Sequence, residues 1–401
     1  QGYLFLISVL LLSTNPFLLD FHVAARGYGI GITCLVGAIY SLMLYSTERR
    51  GDWRLQIAGM TGLSLAVASN PTFLFPAGMI AVLFVVALPP LPAATRKEKR
   101  RKAAPASPVT ARFMELRPFV LTIAALAVAF LLVSPFNKVR ARGLYRPASN
   151  LAASAASVLT PSFAHNEGLG GLNRVVMSSP GIVDAFAVVI FPVILIAGVL
   201  VAWKSRPRSP LALALLLTSG AAVGSVVLHV IGEPLLFLPY PGDRTGIYFL
   251  PLVAFALPAL AGALRDMKSP VRHAAIPLVV LSILLVAHQA IQFNWSRFQV
   301  WPYDADDRKM LDRLNELRGQ RETISVGLSW QLEPSFNFYR ETKKISWLRQ
   351  FDRSGLNGDY EYYVIIPQDR DVIRERNLKP IYEGPVSGTI LAARQDVQAG
   401  S

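Results

Sequence analysis

The sequence predicts a mainly α-helical protein, a polytopic transmembrane helical bundle followed by a small C-terminal α/β extracytoplasmic domain, and three observations predict it. Hydrophobic residues make up 52% of the 401 and charged ones 16%, and the apolar residues fall in long blocks instead of alternating with polar ones. Blocks of about 18 or more match a hydrocarbon layer of roughly 30 Å at 1.5 Å rise per residue. Only helices or closed barrels satisfy their backbone in lipid, and these blocks are too long for barrel strands. The other two observations are a one-sided distribution of basic loops and a change of pattern over the last hundred residues.

Taken in order, the spans are expected near 28–46, 54–69, 72–91, 118–135, 182–203, 210–231, 245–264 and 273–292. A shorter apolar run, Tyr3 to Ser13, precedes them, for about eight or nine spans in a domain covering residues 1–292. That run has no initiator methionine and no basic flank before it, so it reads as the tail of a cut helix and not as a signal peptide, and the chain is expected to be truncated at its N-terminus. Cys34, the single cysteine, lies inside a span. It excludes a disulfide framework and a cysteine-based zinc site, and reads as a small buried apolar residue.

The net charge of +14 belongs entirely to the membrane part: residues 1–292 hold 24 Lys and Arg against 10 Asp and Glu, while 293–401 hold 16 of each. Alternating the spans puts "ERRGDWR" (48–54), "RKEKRRK" (96–102) with Arg112 and Arg117, "KSRPR" (204–208) and "RDMKSPVR" (265–272) on one side, with 17 of the 24 positives. By the positive-inside rule those loops face the cytoplasm, and the chain is expected in the cytoplasmic (inner) membrane. The basic excess is thus a topology signal, and nucleic acid is not an expected partner. Residues 15–28, 70–71, 136–181 and 231–244 then face outward, as does the tail.

The tail, 293–401, has a different pattern. "DADDRKMLDRLNELR" carries Met310, Leu311, Leu314 and Leu317 at helical spacing, and "TISVGLS", "EYYVIIP", "PIYEG" and "GTILAAR" read as short strands. Helices alternating with strands over this length suggest a small α/β domain. Trp330, Phe336, Tyr339 and Trp347 could stack on sugars or fill the core of such a domain.

Charged residues at or near membrane depth are expensive and point to function. The stretch "NPFLLDFHVAARGYGIG" (15–31) carries Asp20, His22, Arg26 and Tyr28. A helix here is expected to bring Asp20 and Arg26 to one face, either as an acid beside a phosphate-binding arginine or as an interfacial ion pair with Tyr28 in the aromatic belt. "FNKVRARGLYRP" places Lys138, Arg140, Arg142 and Arg146 outside the membrane with no acid before Glu167, which suggests an anionic lipid phosphate or headgroup as partner. His165 and Glu167 form a weaker metal or acid/base candidate. In "HVIGEPLLFLPYPGDRTGIYFLPL", Glu233, Asp243 and Arg244 meet where two helices emerge, with Asp243 expected as a helix cap. Arg244 opposes the helix dipole, which leaves either a phosphate contact or a Glu233–Arg244 pair. His229 and His288 read as packing residues.

The stretch at 15–31, the "DRTGIYFLPL" helix start and the small outer α/β tail resemble the GT-C superfamily of bacterial integral-membrane glycosyltransferases, relatives of protein mannosyltransferases and of the aminoarabinose transferase of lipid A. The likeness covers most of the chain as architecture, and only the two short motifs are specific. It implies a multi-pass transferase of the cell envelope that takes a sugar from a polyprenyl-phosphate donor and passes it, with inversion, to a lipid, glycan or protein acceptor on the outer face. Arg26 and Tyr28 correspond to the motif of the second outer loop, with Asp20 as a second acid; where many relatives have an acid two residues before that arginine, Ala24 stands here. The family's principal acid lies in a first outer loop expected upstream of Gln1. Arg26, Arg140, Arg142 and Arg244 would hold the lipid phosphate, with Glu233 beside them. No cofactor is implied, although a divalent metal is compatible with the family. An oligosaccharide polymerase or ligase, and a lipid or solute transporter, are the alternatives.

Overall fold

The computed structural model describes residues 2–23, 27–49, 52–87, 148–163, 186–205, 209–267, 270–293, 297–298 and 300–397. Two compact units make up the chain, Gln1–Phe293 and Asn294–Ser401.

The described helices of the first unit are α1 (Gly2–Ser13), α2 (Pro16–Val23), α3 (Tyr28–Thr47), α4 (Trp53–Ser69), α5 (Leu74–Ala87), α6 (Leu151–Phe163), α7 (Phe191–Ser205), α8 (Pro210–Leu236), α9 (Phe249–Arg265) and α10 (Ala275–Ile291). Sequence chemistry sets several starts. Asp52 caps α4 by accepting the Arg54 backbone N–H at 3.0 Å, and Ser209 caps α8 by accepting from Ala212 at 3.1 Å, with Pro210 at the first helical position. Asn15 accepts the Leu18 N–H at 3.0 Å and so starts α2 after a break, and α1 and α2 are bent by 63°.

Five described helical stretches are long and apolar enough to cross a membrane: Tyr28–Thr47, Val188–Ser205, Pro210–Leu235, Asp243–Arg265 and Pro270–Ile291. The bent pair α1 and α2 adds a sixth if it counts as one span. Of two further expected spans, α4 is 17 residues, at the lower limit for a hydrocarbon layer of roughly 30 Å, and the other is described as an apolar helical stretch over Pro71–Ala87, its residues 88–91 lying outside the described residues. The span expected at 118–135 lies outside the described residues. α8 runs five residues past its expected end and stops at Phe237, which takes a left-handed φ of 55°.

The core of this unit is apolar and closely packed. α9 is central: it packs on α1, α7, α8 and α10, and Leu252, Ala256 and Leu257 are fully buried. The outer faces carry Phe5, Ile30, Val82, Leu200, Trp203 and Leu284, all more than half exposed. Apolar faces of this kind are stable only against lipid or another apolar surface.

The second unit holds α11 (Asp307–Arg318), β1 (Val326–Leu328), α12 (Glu333–Thr342), β2 (Tyr362–Ile365), α13 (Asp371–Glu375), β3 (Leu378–Glu383) and β4 (Ile390–Arg394). Its sheet has the order β1-β2-β4-β3, with β1 and β2 parallel and the other pairings antiparallel. Tyr362 and Val364 face a core that includes Met310, Leu314 and Phe336 of α11 and α12. Tyr363 and Ile365 face the opposite side, against Leu378, Ile390 and α13's Val372 and Ile373. Burial on both faces explains why β2 reads as an unbroken apolar run. Of the four aromatics in question, Phe336 is fully buried, Tyr339 and Trp347 are partly buried against the same core, and Trp330 is 54% exposed.

Candidate functional site

Segments far apart in sequence meet at one end of the helical unit. The contact begins at Gly27, where a Cβ would collide with the Ser69 carbonyl oxygen, so only glycine lets the chain ahead of α3 close on the last residue of α4. α6 lies across the same end. Its Ser162 hydroxyl donates to Asn15 Oδ1 at 3.4 Å, the Phe163 carbonyl meets His288 Nε2 of α10 at 2.7 Å, and Thr14 donates to Gln289 Oε1 at 3.2 Å. At its other end Ser154 donates to the Pro241 carbonyl, Ser157 accepts the Asp243 N–H at 2.6 Å, and Ala148 bridges Tyr240. Among the described residues, the segments at 15–28 and 231–244 are thus each joined to α6 or the residues just before it, and Gly27 meets the end of α4.

Beneath α6 lies a cavity of about 750 Å³. Its wall is mostly aliphatic and aromatic, with Leu11, Phe163, Phe191, Leu195, Val226 and Leu257 among the lining residues. Among the described residues the polar lining is Asn15, Asn150, Ser154, Ser162 and Gln289, contributed by the chain before α2, by α6 and the residue ahead of it, and by the last turn of α10. A volume of this size suits a small-molecule or lipid-chain site, and an almost wholly apolar wall selects an apolar occupant with one polar end.

The expected site residues take different positions around this arrangement. Asp20 is only 5% exposed, in α2 among Phe17, Leu18 and Phe21, all of them buried. Tyr28 is 7% exposed and packs edge-on to Phe21, with ring centroids 5.0 Å apart, so it belongs to the packing of α2 on α3 and not to an open aromatic belt. The shared face for Asp20 and Arg26 is corrected by geometry: six residues at 100° each separate them by about 120° on a continuous helix. α2 moreover ends at Val23. Arg26, Arg140 and Arg142 lie outside the described residues, as do Lys138, Arg146, His165 and Glu167.

Arg244 occupies a turn of 3-10 helix, Asp243–Gly246, ahead of α9. Asp243 is not the cap of that turn. Gly242 stands at the cap position, and the Thr245 hydroxyl accepts the Gly242 N–H at 3.0 Å and donates to its carbonyl at 2.7 Å. Asp243 instead adopts a left-handed φ of 50°, unusual for a residue with a Cβ, and hangs from Ser157. Glu233, two turns above Val226 on the same face of α8, is half-buried and forms no ion pair with a described residue, so the Glu233–Arg244 pair is not made. His229 is buried, with its Nδ1 2.7 Å from the Ser225 carbonyl and its ring 4.1 Å from that of Phe75. Among the described residues no group of three or more His, Cys, Asp or Glu is placed to hold a metal ion.

Sequence reasoning missed α6 as an element of the site. The segment "LAASAASVLTPSF" is short, rich in alanine and serine, and interrupted by Pro161, so it has neither span length nor a sharp apolar face. Its signal is the serine spacing: Ser154, Ser157 and Ser162 all turn out to hold neighbouring segments. No family model matches the sequence, and no curated protein matches it.

Proposed function

We propose that the chain is an integral-membrane glycosyltransferase of the GT-C type, moving a sugar from a polyprenyl-phosphate donor to an acceptor at the outer face of the cytoplasmic membrane, with its C-terminal unit on that face. The observation that carries this reading is the apolar cavity under α6, whose few polar lining residues lie on α6, at the residue before it, and at Asn15 and Gln289. A polyprenyl chain is an apolar occupant with a single charged end, and the cavity offers an apolar body with one polar margin.

In this reading Arg244 lies beside the lipid phosphate, joined by Arg26, Arg140 and Arg142, and a guanidinium suits that task because its planar fork binds phosphate oxygens in pairs. Inverting transfer also needs a carboxylate to take the acceptor hydroxyl proton as the sugar–phosphate bond breaks. Asp20 is buried, so it serves best by positioning the segment that leads to Arg26. Glu233 is more accessible and forms no ion pair with a described residue, and it binds hydroxyl groups of donor or acceptor.

The test uses the purified full chain in lipid discs with a labelled polyprenyl-phosphate monosaccharide. Arg244→Ala and Arg26→Ala should each weaken donor binding at least tenfold while membrane insertion is unchanged. Wild-type binding in both variants would remove the phosphate site, and a chain that ignores the donor altogether while acting on lipid-linked oligosaccharide would be a polymerase or ligase.

A further inference from the structure

A second concavity shares no lining residue with the cavity under α6 and plays no part in the reading above. α3 and α4 pack tightly side by side, and a Cβ at Gly62 would meet the Cys34 carbonyl oxygen at 2.9 Å. On the outside of that seam runs a groove of about 510 Å³, lined among others by Cys34, Gly37 and Ser41 of α3 and by Trp53, Arg54 and Ile57 of α4. Gly37 forms an open floor, because a Cβ there would meet nothing within 4 Å. From Arg54 to Leu65, the last residue of α4 in the lining, the groove follows eleven residues, about 16 Å of helix. That is close to half of a hydrocarbon layer of roughly 30 Å, the depth of one leaflet.

One end of the groove is chemically distinct. Trp53 is 59% exposed, and the Arg54 guanidinium lies 5.9 Å from its ring centroid. Asp52, the nearest acid in sequence, accepts the Arg54 backbone N–H as the helix cap. Arg54 is exposed and forms no ion pair with a described residue. An exposed tryptophan beside an arginine at a helix end is the chemistry of a membrane interface, where the ring lies among headgroups and the guanidinium meets phosphate. The segment "ERRGDWR" carries three arginines against two acids, which favours a headgroup of net negative charge.

We infer that this groove is a binding site for one anionic phospholipid, with an acyl chain lying along Gly37, Ile57 and Cys34 and the phosphate on Arg54. A helix from a second copy is the less fitting occupant, because it would have to cover Arg54 and strip its charge of water without offering a partner.

Cys34 is the only cysteine of the chain and lines the groove, so its alkylation reports occupancy. The full chain is placed in discs of phosphatidylcholine, or of phosphatidylcholine and phosphatidylglycerol in equal parts, and treated with a neutral, membrane-partitioning maleimide. The expected result is labelling several-fold slower with phosphatidylglycerol, and a difference that vanishes in Arg54→Gln. Gly37→Leu, which fills the floor, should slow labelling in both lipids and erase the difference between them. Equal rates in the two lipids for the wild type, or a difference that persists in Arg54→Gln, would overturn the site. A disulfide between Cys34 of two copies under mild oxidation would replace the lipid with a second chain.

Discussion

The backbone N–H of Asp243 donates to the hydroxyl of Ser157 at 2.6 Å, so the turn that carries Arg244 is suspended from a helix 86 residues earlier in the chain. Asp243 has a left-handed φ of 50°, and a non-glycine residue persists there only when its surroundings fix it.

Ser157→Ala should therefore act on Arg244 at a distance. Removing the acceptor leaves a half-buried N–H unsatisfied, at a cost of about 1–3 kcal/mol. The expected outcome is faster amide exchange across Asp243–Gly246 and donor binding several-fold weaker, with the helices intact. Unchanged exchange together with unchanged donor affinity would show that the turn holds itself.

Asn15 provides a second test at the polar margin of the cavity. Its side-chain oxygen caps α2 through the Leu18 N–H and also accepts from Ser162. Asn15→Ala should lower stability by about 1 kcal/mol through the lost cap, read as a lower melting temperature in detergent. Asn15→Asp keeps the acceptor and should restore most of that loss; equal losses in both variants would place the effect in the amide nitrogen and not the cap.

Gly27 closes the same end from the other side. Gly27→Ala would force its Cβ into the Ser69 carbonyl oxygen, a backbone atom that yields only if α4 or the 15–28 segment moves. Overpacking of this kind costs about 1–3 kcal/mol. The measurement is thermal unfolding of the detergent-solubilised chain, and a wild-type melting temperature would mean that the two segments separate freely.

Much of this architecture was legible from the residues because it follows from one physical demand, that a long apolar block pair its backbone polar groups within itself. That demand produces the apolar blocks at 28–46, 210–231, 245–264 and 273–292, and helices occupy each of them. The tail strands were legible for a related reason: "YYVI" and "ILAAR" are apolar enough to lie inside a sheet. The site was less legible. Spacing alone left Asp20 and Tyr28 open to solvent or lipid, and packing by Phe17, Leu18 and Phe21 removes both from the surface. α12 went unread because its aromatic residues suggested ligand stacking, whereas its 10 residues bury Phe336 and leave Phe338 outward, as an amphipathic helix must. Charge counts group the loops only by an expected side, and they carry no sign that Ser154 and Ser157 bind the segment at Pro241 and Asp243.

Asp306 and Asp307 are adjacent residues with opposite surroundings. Both are buried. Asp306 Oδ2 accepts the Val386 and Ser387 N–H groups at 2.9 and 2.8 Å and the Ser387 hydroxyl at 3.0 Å, while Oδ1 meets Lys309 at 3.0 Å. Burial alone would raise its pKa, but these donors outweigh it and hold the carboxyl below its ordinary value. Among the described residues the carboxyl oxygens of Asp307 have no well-formed hydrogen bond: the Ser335 hydroxyl beside them, whose contact would favour the carboxylate, donates to the Leu332 carbonyl at 3.0 Å. Burial, reinforced by the charge of Asp304, pushes the Asp307 carboxyl well above the usual carboxylate range. The two groups consequently act on stability in opposite directions. The contribution of Asp306 is present above the ordinary carboxylate pKa and is lost as pH falls through its lowered one. Asp307 favours the folded unit only while protonated, so stability is lost as pH rises from the ordinary value through its raised one, at about 1.4 kcal/mol per pH unit across that interval. Asp307→Asn should raise the stability of the Asn294–Ser401 unit at neutral pH and have no effect in strong acid, whereas Asp306→Asn should lower it by roughly 3 kcal/mol at neutral pH through the lost charge-assisted bonds. Amide exchange of β1 to β4 in the full chain, followed as a function of pH, separates the two. A neutral-pH loss of stability in Asp307→Asn would mean that the carboxylate is ionised and held by the N-terminus of α11 after all.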